Sequence, residues 1–240
     1  MGSFLSRSVL ARVVPFVLFM VILAIRGHVP ADGSMMGIDP RWIYGVSVLV
    51  VSASLLFFWR DYTELARGTL PSTKELLLAV VVGVVVFYLW VNLAQPWMMT
   101  DNLMSMLFGT KDVGGATASF RPVDAEGRIE WGLVVVRWVG AALMVPVMEE
   151  LFWRSYLMRW VDSPDFEKID PRKVTAKAVA LSTLVFMLAH TQWLAAIVAG
   201  LAYAWLYRRT GSLWSPILAH AVTNGVLGVW VVLYGNWQFW

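Results

Sequence analysis

Residues 131–158 read WGLVVVRWVGAALMVPVMEELFWRSYLM. The stretch is almost entirely apolar, yet Glu149 and Glu150 stand side by side within it, whereas the other acidic residues lie between the hydrophobic segments. Placing one ionisable group at membrane depth costs about 3 kcal/mol on insertion scales, so a retained pair indicates a chemical role. The stretch therefore predicts a membrane helix that carries part of a functional site.

The composition of the whole chain is that of a membrane protein. Of its 240 residues, 59% are apolar and 15% are charged, and the mean hydropathy is +0.66, values that a soluble domain does not tolerate. Seven apolar windows are candidates for crossing a hydrocarbon layer of roughly 30 Å. They cover residues 10–25, 42–59, 76–95, 131–158, 174–190, 193–207 and 213–235. Because Pro146 can kink or divide the fourth window, an eighth segment is also considered.

The windows also decide the fold class. They lack the alternation of a β-strand, and an open sheet cannot satisfy its backbone in lipid. We therefore predict an all-α fold, a polytopic transmembrane helical bundle of about seven to eight spans. Since no internal repeat is visible, residues 1–240 are predicted to form a single integral membrane domain, with 131–235 as its motif-bearing helices.

The longest connection between apolar windows is 96–130. It begins with an apolar segment that predicts an interfacial helix and continues into a Gly-rich loop around Gly114 and Gly115. This connection is either a plain connector or a substrate-facing lid.

The positions of the charged residues indicate the membrane topology and argue against some functions. The net charge is +3, but the basic residues lie in short connections rather than along one face, so we expect no nucleic-acid partner. With a cytoplasmic N-terminus, twelve Lys and Arg residues lie inside and five outside, an orientation that suits the bacterial inner membrane. Arg137 falls within a span and is expected to extend outward to the membrane surface. The absence of cysteine excludes a thiol nucleophile and Cys-ligated metal sites.

The second half of the chain contains a sparse set of polar residues at membrane depth. Helix arithmetic at ~1.5 Å per residue places Glu149 roughly 16 Å, His220 roughly 12 Å and Asn224 about 18 Å from the cytoplasmic ends of their spans. His190 comes out deeper, at roughly 25 Å, a mismatch that helix tilt or a later helix start has to remove. We expect these residues to meet in one polar pocket.

The spacing of residues within each motif predicts which face of the helix each side chain occupies. Adjacent residues point about 100° apart on a helix, so Glu149 and Glu150 cannot face one cavity equally. Arg154 lies four residues beyond Glu150, which predicts a structural ion pair and leaves Glu149 to face water or substrate. His220 and Asn224 also share a face, where an imidazole N–H and an amide can bind an oxygen that becomes negative during a reaction.

Three ordered motifs carry a family resemblance: EELFWR at 149–154, FMLAH at 186–190 and HAVTN at 220–224. Their order, spacing and placement on successive hydrophobic segments resemble the CAAX protease and bacteriocin-processing family of intramembrane glutamate proteases, also called the Abi family. The resemblance covers roughly residues 131–235. A narrower resemblance to the exosortase-associated CAAX protease-related group is suspected.

The resemblance implies a peptidase that acts without a cofactor on a membrane-anchored peptide or protein. Glu149 and His190 would activate a water, and His220 and Asn224 would form the oxyanion site. Glu150 and Arg154 would support the first motif, while Phe186 is expected to pack and to hold the His190 ring. The motifs H-E-x-x-H, G-x-G-D and G-x-S-G of other intramembrane proteases are missing from the sequence.

Two alternatives stay open at this point. Glu149, Glu150, His190 and His220 are also residue types that ligate zinc, which would make the protein a metal-dependent hydrolase. A non-catalytic transporter or scaffold could use the same cluster to relay protons or to fix helix packing. The sequence encodes no prenyl pocket and gives no oligomeric state.

Overall fold

The structure, a computed structural model, describes residues 6–29, 39–109 and 120–240. Its regular elements in these ranges are helices, and the only β-pairing there consists of two isolated bridges, Met99 with Gln192 and Val123 with Ile129. The predicted all-α class is therefore confirmed. The predicted Gly-rich loop around Gly114 and Gly115 lies outside the described residues.

Eight helices make up the described bundle. They are α1 Arg7–His28, α2 Ile43–Phe57, α3 Thr73–Asn92, α4 Thr100–Phe108, α5 Trp131–Asp162, α6 Ala176–Leu188, α7 Trp193–Thr210 and α8 Trp214–Tyr234. Each of the seven apolar windows overlaps one of them. Among the described residues, five stretches are long and apolar enough to cross a membrane by themselves: Arg7–His28, Pro40–Phe57, Thr73–Asn92, Trp131–Asp162 and Trp214–Tyr234.

The outer surface of the bundle suits lipid rather than water. Leu49, Leu56 and Leu233 are each more than 70% exposed, on helices that cross the membrane. The central helix α7 shows the opposite pattern, since Ala196 and Ala199 are buried among neighbouring helices. Small residues on such a helix let other backbones approach closely. The chain is accordingly an integral membrane protein.

Helix α5 is continuous over 32 residues but not uniformly α-helical. It contains two π-helical segments, Gly140–Met144 and Leu151–Leu157, and Pro146 lies in the α-helical stretch Val145–Glu150 between them. Pro146 therefore does not divide the window, and the eighth segment does not form. Segments of π-helix occur frequently at functional sites, and here they bracket both glutamates.

A close contact between α3 and α8 sets the position of the HAVTN motif. A Cβ atom on Gly83 would lie 2.5 Å from the carbonyl oxygen of Ala219 and 2.8 Å from Cβ of Val222. The Thr223 hydroxyl lies 2.9 Å from the Gly83 carbonyl oxygen and accepts a hydrogen bond from the Tyr203 hydroxyl of α7. Glycine at position 83 thus allows three helices to meet beside His220.

We expect Gly83→Ala to destabilise the protein by about 1–3 kcal/mol, because the added methyl group must push α3 away from α8. Thermal unfolding of the purified protein in detergent measures the effect. Gly27→Ala is the matched control, since no atom lies within 4 Å of the Cβ position there. Equal unfolding temperatures for the two variants would contradict the close contact.

One end of α5 is held by a buried ionic cluster. The fully buried Arg12 of α1 donates from Nη2 to Glu64 Oε2 at 2.6 Å, and Arg159 of α5 donates to the other oxygen of Glu64 at 2.7 Å. Ser155 also hydrogen-bonds Glu64. Burial raises the pKa of Glu64, but Arg12, Arg159 and Ser155 outweigh burial and leave that pKa below its usual range. The cluster ties α1 and the α2–α3 connection to α5.

Candidate active site

A cavity of about 190 Å³ lies inside the bundle and collects the predicted polar set. Its wall is formed by residues from α1, α2, α3, α5, α6, α7 and α8, from the α6–α7 turn and from the segment after α8. The polar residues that line it are Tyr44, Arg137, Glu149, His190, Tyr203, His220, Thr223 and Asn224. The three motifs therefore converge on one space within the membrane-embedded bundle.

Glu149 faces this cavity, whereas Glu150 does not. The Glu149 side chain is 8% exposed, and its Oε2 accepts a hydrogen bond from Trp153 Nε1 at 3.3 Å. Among the described residues that line the cavity, Glu149 is the only carboxylate. The roughly 100° between consecutive helical residues thus separates the two glutamates into different environments.

Glu150 is fully buried and connects two helices. Its Oε1 accepts from Arg154 Nη1 at 3.1 Å, which is the ion pair predicted from the four-residue spacing, and the same oxygen lies 2.9 Å from His220 Nδ1. The Arg154 guanidinium also lies 4.6 Å from the centroid of the Phe186 ring. Because a carboxylate oxygen only accepts, Nδ1 of His220 carries the proton in this pair.

The two predicted oxyanion donors already have protein partners. The Nδ1–H of His220 is directed to Glu150, so its Nε2 can donate only when the ring is an imidazolium. The Asn224 amide donates to the carbonyl oxygen of Ala141 at 2.9 Å, within the first π-segment of α5. One N–H of the Asn224 amide remains for a second acceptor. The Tyr203 ring stacks on His220 at 5.0 Å and holds its plane.

His190 lies in the turn beyond the end of α6 rather than within the helix. Helix α6 begins at Ala176 and ends at Leu188, so the depth of roughly 25 Å expected for an unbroken helix from Val174 does not apply. His190 Nδ1 lies 2.7 Å from the Phe186 carbonyl oxygen, and the two rings are 4.1 Å apart. The proton is therefore on Nδ1, and Nε2 keeps a lone pair. Phe186 holds His190 with both its ring and its backbone.

The first residue of α4 fixes the turn that carries His190. The Thr100 hydroxyl donates to the His190 carbonyl oxygen at 2.6 Å, and the Thr100 N–H donates to the Thr191 carbonyl oxygen at 2.8 Å. The apolar start of this connection forms a helix, α4, with Met106 and Phe108 strongly exposed, and its location in the membrane interface stays a prediction. This part of the 96–130 connection is thus attached to the site and is more than a linker.

We expect Thr100→Val to loosen the His190 turn, because the lost hydrogen bond contributes about 1 kcal/mol. The variant should unfold at a lower temperature than the parent protein. Thermal unfolding measures the effect. Ser105→Ala, at an exposed position of the same helix, should leave the unfolding temperature unchanged. A Thr100→Val protein of unchanged stability would show that the turn does not need this bond.

The structure does not support the zinc alternative in its simplest form. Within the described ranges, no group of three or more His, Asp or Glu side chains is placed to hold a metal ion. Glu150 and His220 already use Oε1 and Nδ1 on each other. The four residues proposed as ligands therefore do not form one ligand cluster.

Two cavity residues were missed or misplaced by the sequence analysis. Arg137 was expected to extend outward, which is wrong: it lines the cavity, with its guanidinium carbon 4.3 Å from the centroid of the Tyr44 ring. On a regular helix, residues 137 and 149 lie about 120° apart in projection. The π-segment between them alters that phase, which residue spacing alone does not reveal. For Tyr44, an ordinary aromatic residue in an apolar window, no such signal exists.

The fold and this cavity define a polytopic membrane protein with a cavity between its helices that polar side chains line. Residues 131–226 match the family model described as Type II CAAX prenyl endopeptidase Rce1-like. This part of the chain is thus similar to the CAAX protease family, and the matched range includes Glu149, Glu150, Arg154, Phe186, His190, His220 and Asn224. The match gives no support for the narrower exosortase-associated group. No curated protein and no solved structure matches the chain.

Proposed function

We propose that the protein is an intramembrane endopeptidase of CAAX type, which hydrolyses a peptide bond in a membrane-anchored peptide or protein. One observation carries the proposal: the Glu149 carboxylate and the His190 imidazole line the same cavity, inside the segment that matches the endopeptidase family. A carboxylate and an imidazole with a free Nε2 lone pair are suited to binding and deprotonating a water molecule.

In this mechanism Glu149 acts as the general base. The Trp153 N–H holds one carboxylate oxygen, and the other takes a proton from a water that His190 Nε2 positions. The resulting hydroxide adds to the peptide carbonyl carbon and forms a tetrahedral oxyanion. Glu149 then returns the proton to the leaving nitrogen as the C–N bond breaks. No covalent enzyme intermediate is formed.

The oxyanion is stabilised from α8. The imidazolium form of His220 donates through Nε2, and Asn224 donates its second amide N–H. Glu150 orients the His220 ring through Nδ1, much as a buried acid orients the histidine of a hydrolase triad, and Arg154 compensates the charge of Glu150. Phe186 is a positioning residue, because it acts on the site through His190 and Arg154.

The setting of the reaction follows from the bundle. We propose that residues 1–240 form one integral membrane domain whose motif-bearing helices span 131–235, in a bacterial inner membrane with the N-terminus in the cytoplasm. The excess of Lys and Arg in the connections assigned to the cytoplasm supports this orientation. The substrate reaches the cavity from the lipid bilayer.

The test is hydrolysis by the purified protein in lipid vesicles that contain a pool of membrane-anchored peptides of varied sequence. In water labelled with ¹⁸O, mass spectrometry should detect cleaved peptides with one ¹⁸O atom in the new carboxyl group. Cleavage should persist after treatment with a chelator. Loss of cleavage that zinc restores would favour the metal-dependent hydrolase, and pH-dependent flux without any cleavage would favour a transporter.

A further inference from the structure

Arg137 and Tyr44 form a second polar group in the cavity that the proposed reaction does not use. Tyr44 is 3% exposed, and its hydroxyl packs against Gly140, where an added Cβ atom would lie 2.9 Å from the hydroxyl oxygen. Gly140 precedes Glu149 by nine residues on α5, which corresponds to roughly 13 Å along the helix. The group therefore lies at a different level of the cavity from the proposed base.

Tyr44 and Arg137 interact with each other, but these polar atoms have no further partner in the described part of the chain. The Tyr44 hydroxyl and Arg137 Nε are both buried without a hydrogen bond. Arg26 of α1 lies nearby: the guanidinium carbons of Arg26 and Arg137 are 5.3 and 5.5 Å from the centroid of the Phe120 ring. Neither arginine forms an ion pair with a described residue. Two cations thus stand together beside an unused hydroxyl donor.

An arginine without a counterion is expensive at membrane depth, and so is a buried hydroxyl without a partner. Arginine is always charged and presents a fork of N–H donors that matches a carboxylate. The one carboxylate among the described cavity residues, Glu149, is bonded to Trp153 at the other level. Arg137 and Tyr44 are therefore arranged for an anion that no residue of the described ranges supplies.

We propose that Arg137 and Tyr44 form a subsite that binds a carboxylate of the substrate about four residues from the scissile bond. The distance follows from the roughly 13 Å between the two levels and from a rise of about 3.3 Å per residue in an extended peptide. The inference rests on the proposed peptidase function, because it assigns the second group to the same substrate. The carboxylate is either the C-terminal carboxylate of the chain or the side chain of an acidic residue.

Binding of synthetic probes to the full-length protein in lipid nanodiscs tests the subsite without requiring hydrolysis. The probes are one palmitoylated, fluorescent apolar heptapeptide made with a free C-terminal carboxylate, with a C-terminal amide, or with a C-terminal amide and a glutamate as its last residue. The free acid should bind at least about tenfold more tightly than the amide, as a charge-assisted hydrogen bond allows. The third probe tells which carboxylate is recognised: tight binding indicates a side chain, and weak binding indicates the C-terminus.

Two variants link that preference to the subsite. Tyr44→Phe and Arg137→Gln should each bring the acid and amide affinities close together. Tyr44→Phe should do so without lowering the unfolding temperature, because it removes a hydroxyl that donates to no described residue. Arg121→Gln removes a charge from an exposed position outside the cavity and should keep the parental preference.

The outcomes separate this inference from the proposed function. Equal affinity of the parent protein for all three probes, or an undiminished preference in Arg137→Gln, overturns the subsite whatever the result of the hydrolysis test. A preference that depends on Arg137, in a protein that cleaves no peptide, supports the subsite and overturns the peptidase. The unfolding curve of each variant shows whether it is folded. If one variant is not folded, the probe affinities of the other variant decide whether the subsite exists.

Discussion

Glu149→Gln is expected to lower the rate of peptide hydrolysis by a factor of about 10² to 10⁴, the range that a positioned general base contributes. Glutamine fills the same volume, and its carbonyl oxygen can still accept from Trp153 Nε1, but the amide cannot take a proton from water. The protein should therefore fold and accumulate normally. Initial rates of ¹⁸O-labelled product formation in vesicles measure the effect.

Glu126→Gln is the matched control, because it makes the same chemical change in the exposed turn before α5. It should retain the parental rate. Hydrolysis by Glu149→Gln at the parental rate would remove Glu149 from the mechanism. An equal loss in both variants would show a general effect of the substitution rather than loss of a base.

Arg154→Met is expected to be the most destabilising single change at the site. It leaves the carboxylate of Glu150, which is fully buried, with His220 as its remaining polar partner. Breaking a buried ion pair by removing one partner costs about 3–5 kcal/mol. We expect the variant to accumulate poorly in membranes and to unfold at a much lower temperature than the parent protein.

A second substitution distinguishes two causes of the stability lost in Arg154→Met, an unpaired buried charge and lost side-chain packing. Glu150→Gln combined with Arg154→Met removes both charges, and most of the lost stability should return. Hydrolysis should stay low, because His220 then lacks the carboxylate that orients its ring. If the double variant is no more stable than Arg154→Met alone, the Arg154 side chain contributes through its packing on Phe186 rather than through its charge.

The parts of the site that the sequence predicts are those set by helix periodicity. The four-residue spacing of Glu150 and Arg154 predicts their pair, and the step from Glu149 to Glu150 predicts that only one of them faces the cavity. The apolar windows predict the helical bundle for the same reason, since hydrophobic length is a local property. Local rules were sufficient for these features.

The remaining features depend on contacts between distant parts of the chain or on irregular backbone. Nothing in the sequence near His190 indicates that α6 stops two residues earlier or that Thr100 bonds the turn that follows. The hydrogen bond from Asn224 to the Ala141 carbonyl oxygen joins α8 to a π-helical segment of α5. The spacing of residues in the sequence does not predict that segment. For the same reason the sequence placed Arg137 at the membrane surface.

The π-helical turn at Gly140–Met144 also makes α5 sensitive to its length in residues. A π-turn holds more residues than the 3.6 of an α-turn, so the deletion of a single residue there lets the backbone return to regular α-helical bonding. After the deletion, eleven α-helical steps of about 100° would leave Arg137 and Glu149 roughly 20° apart in projection, whereas twelve such steps would leave them about 120° apart. The wider π-turn thus accommodates one additional residue in α5 while both charged side chains still line the cavity.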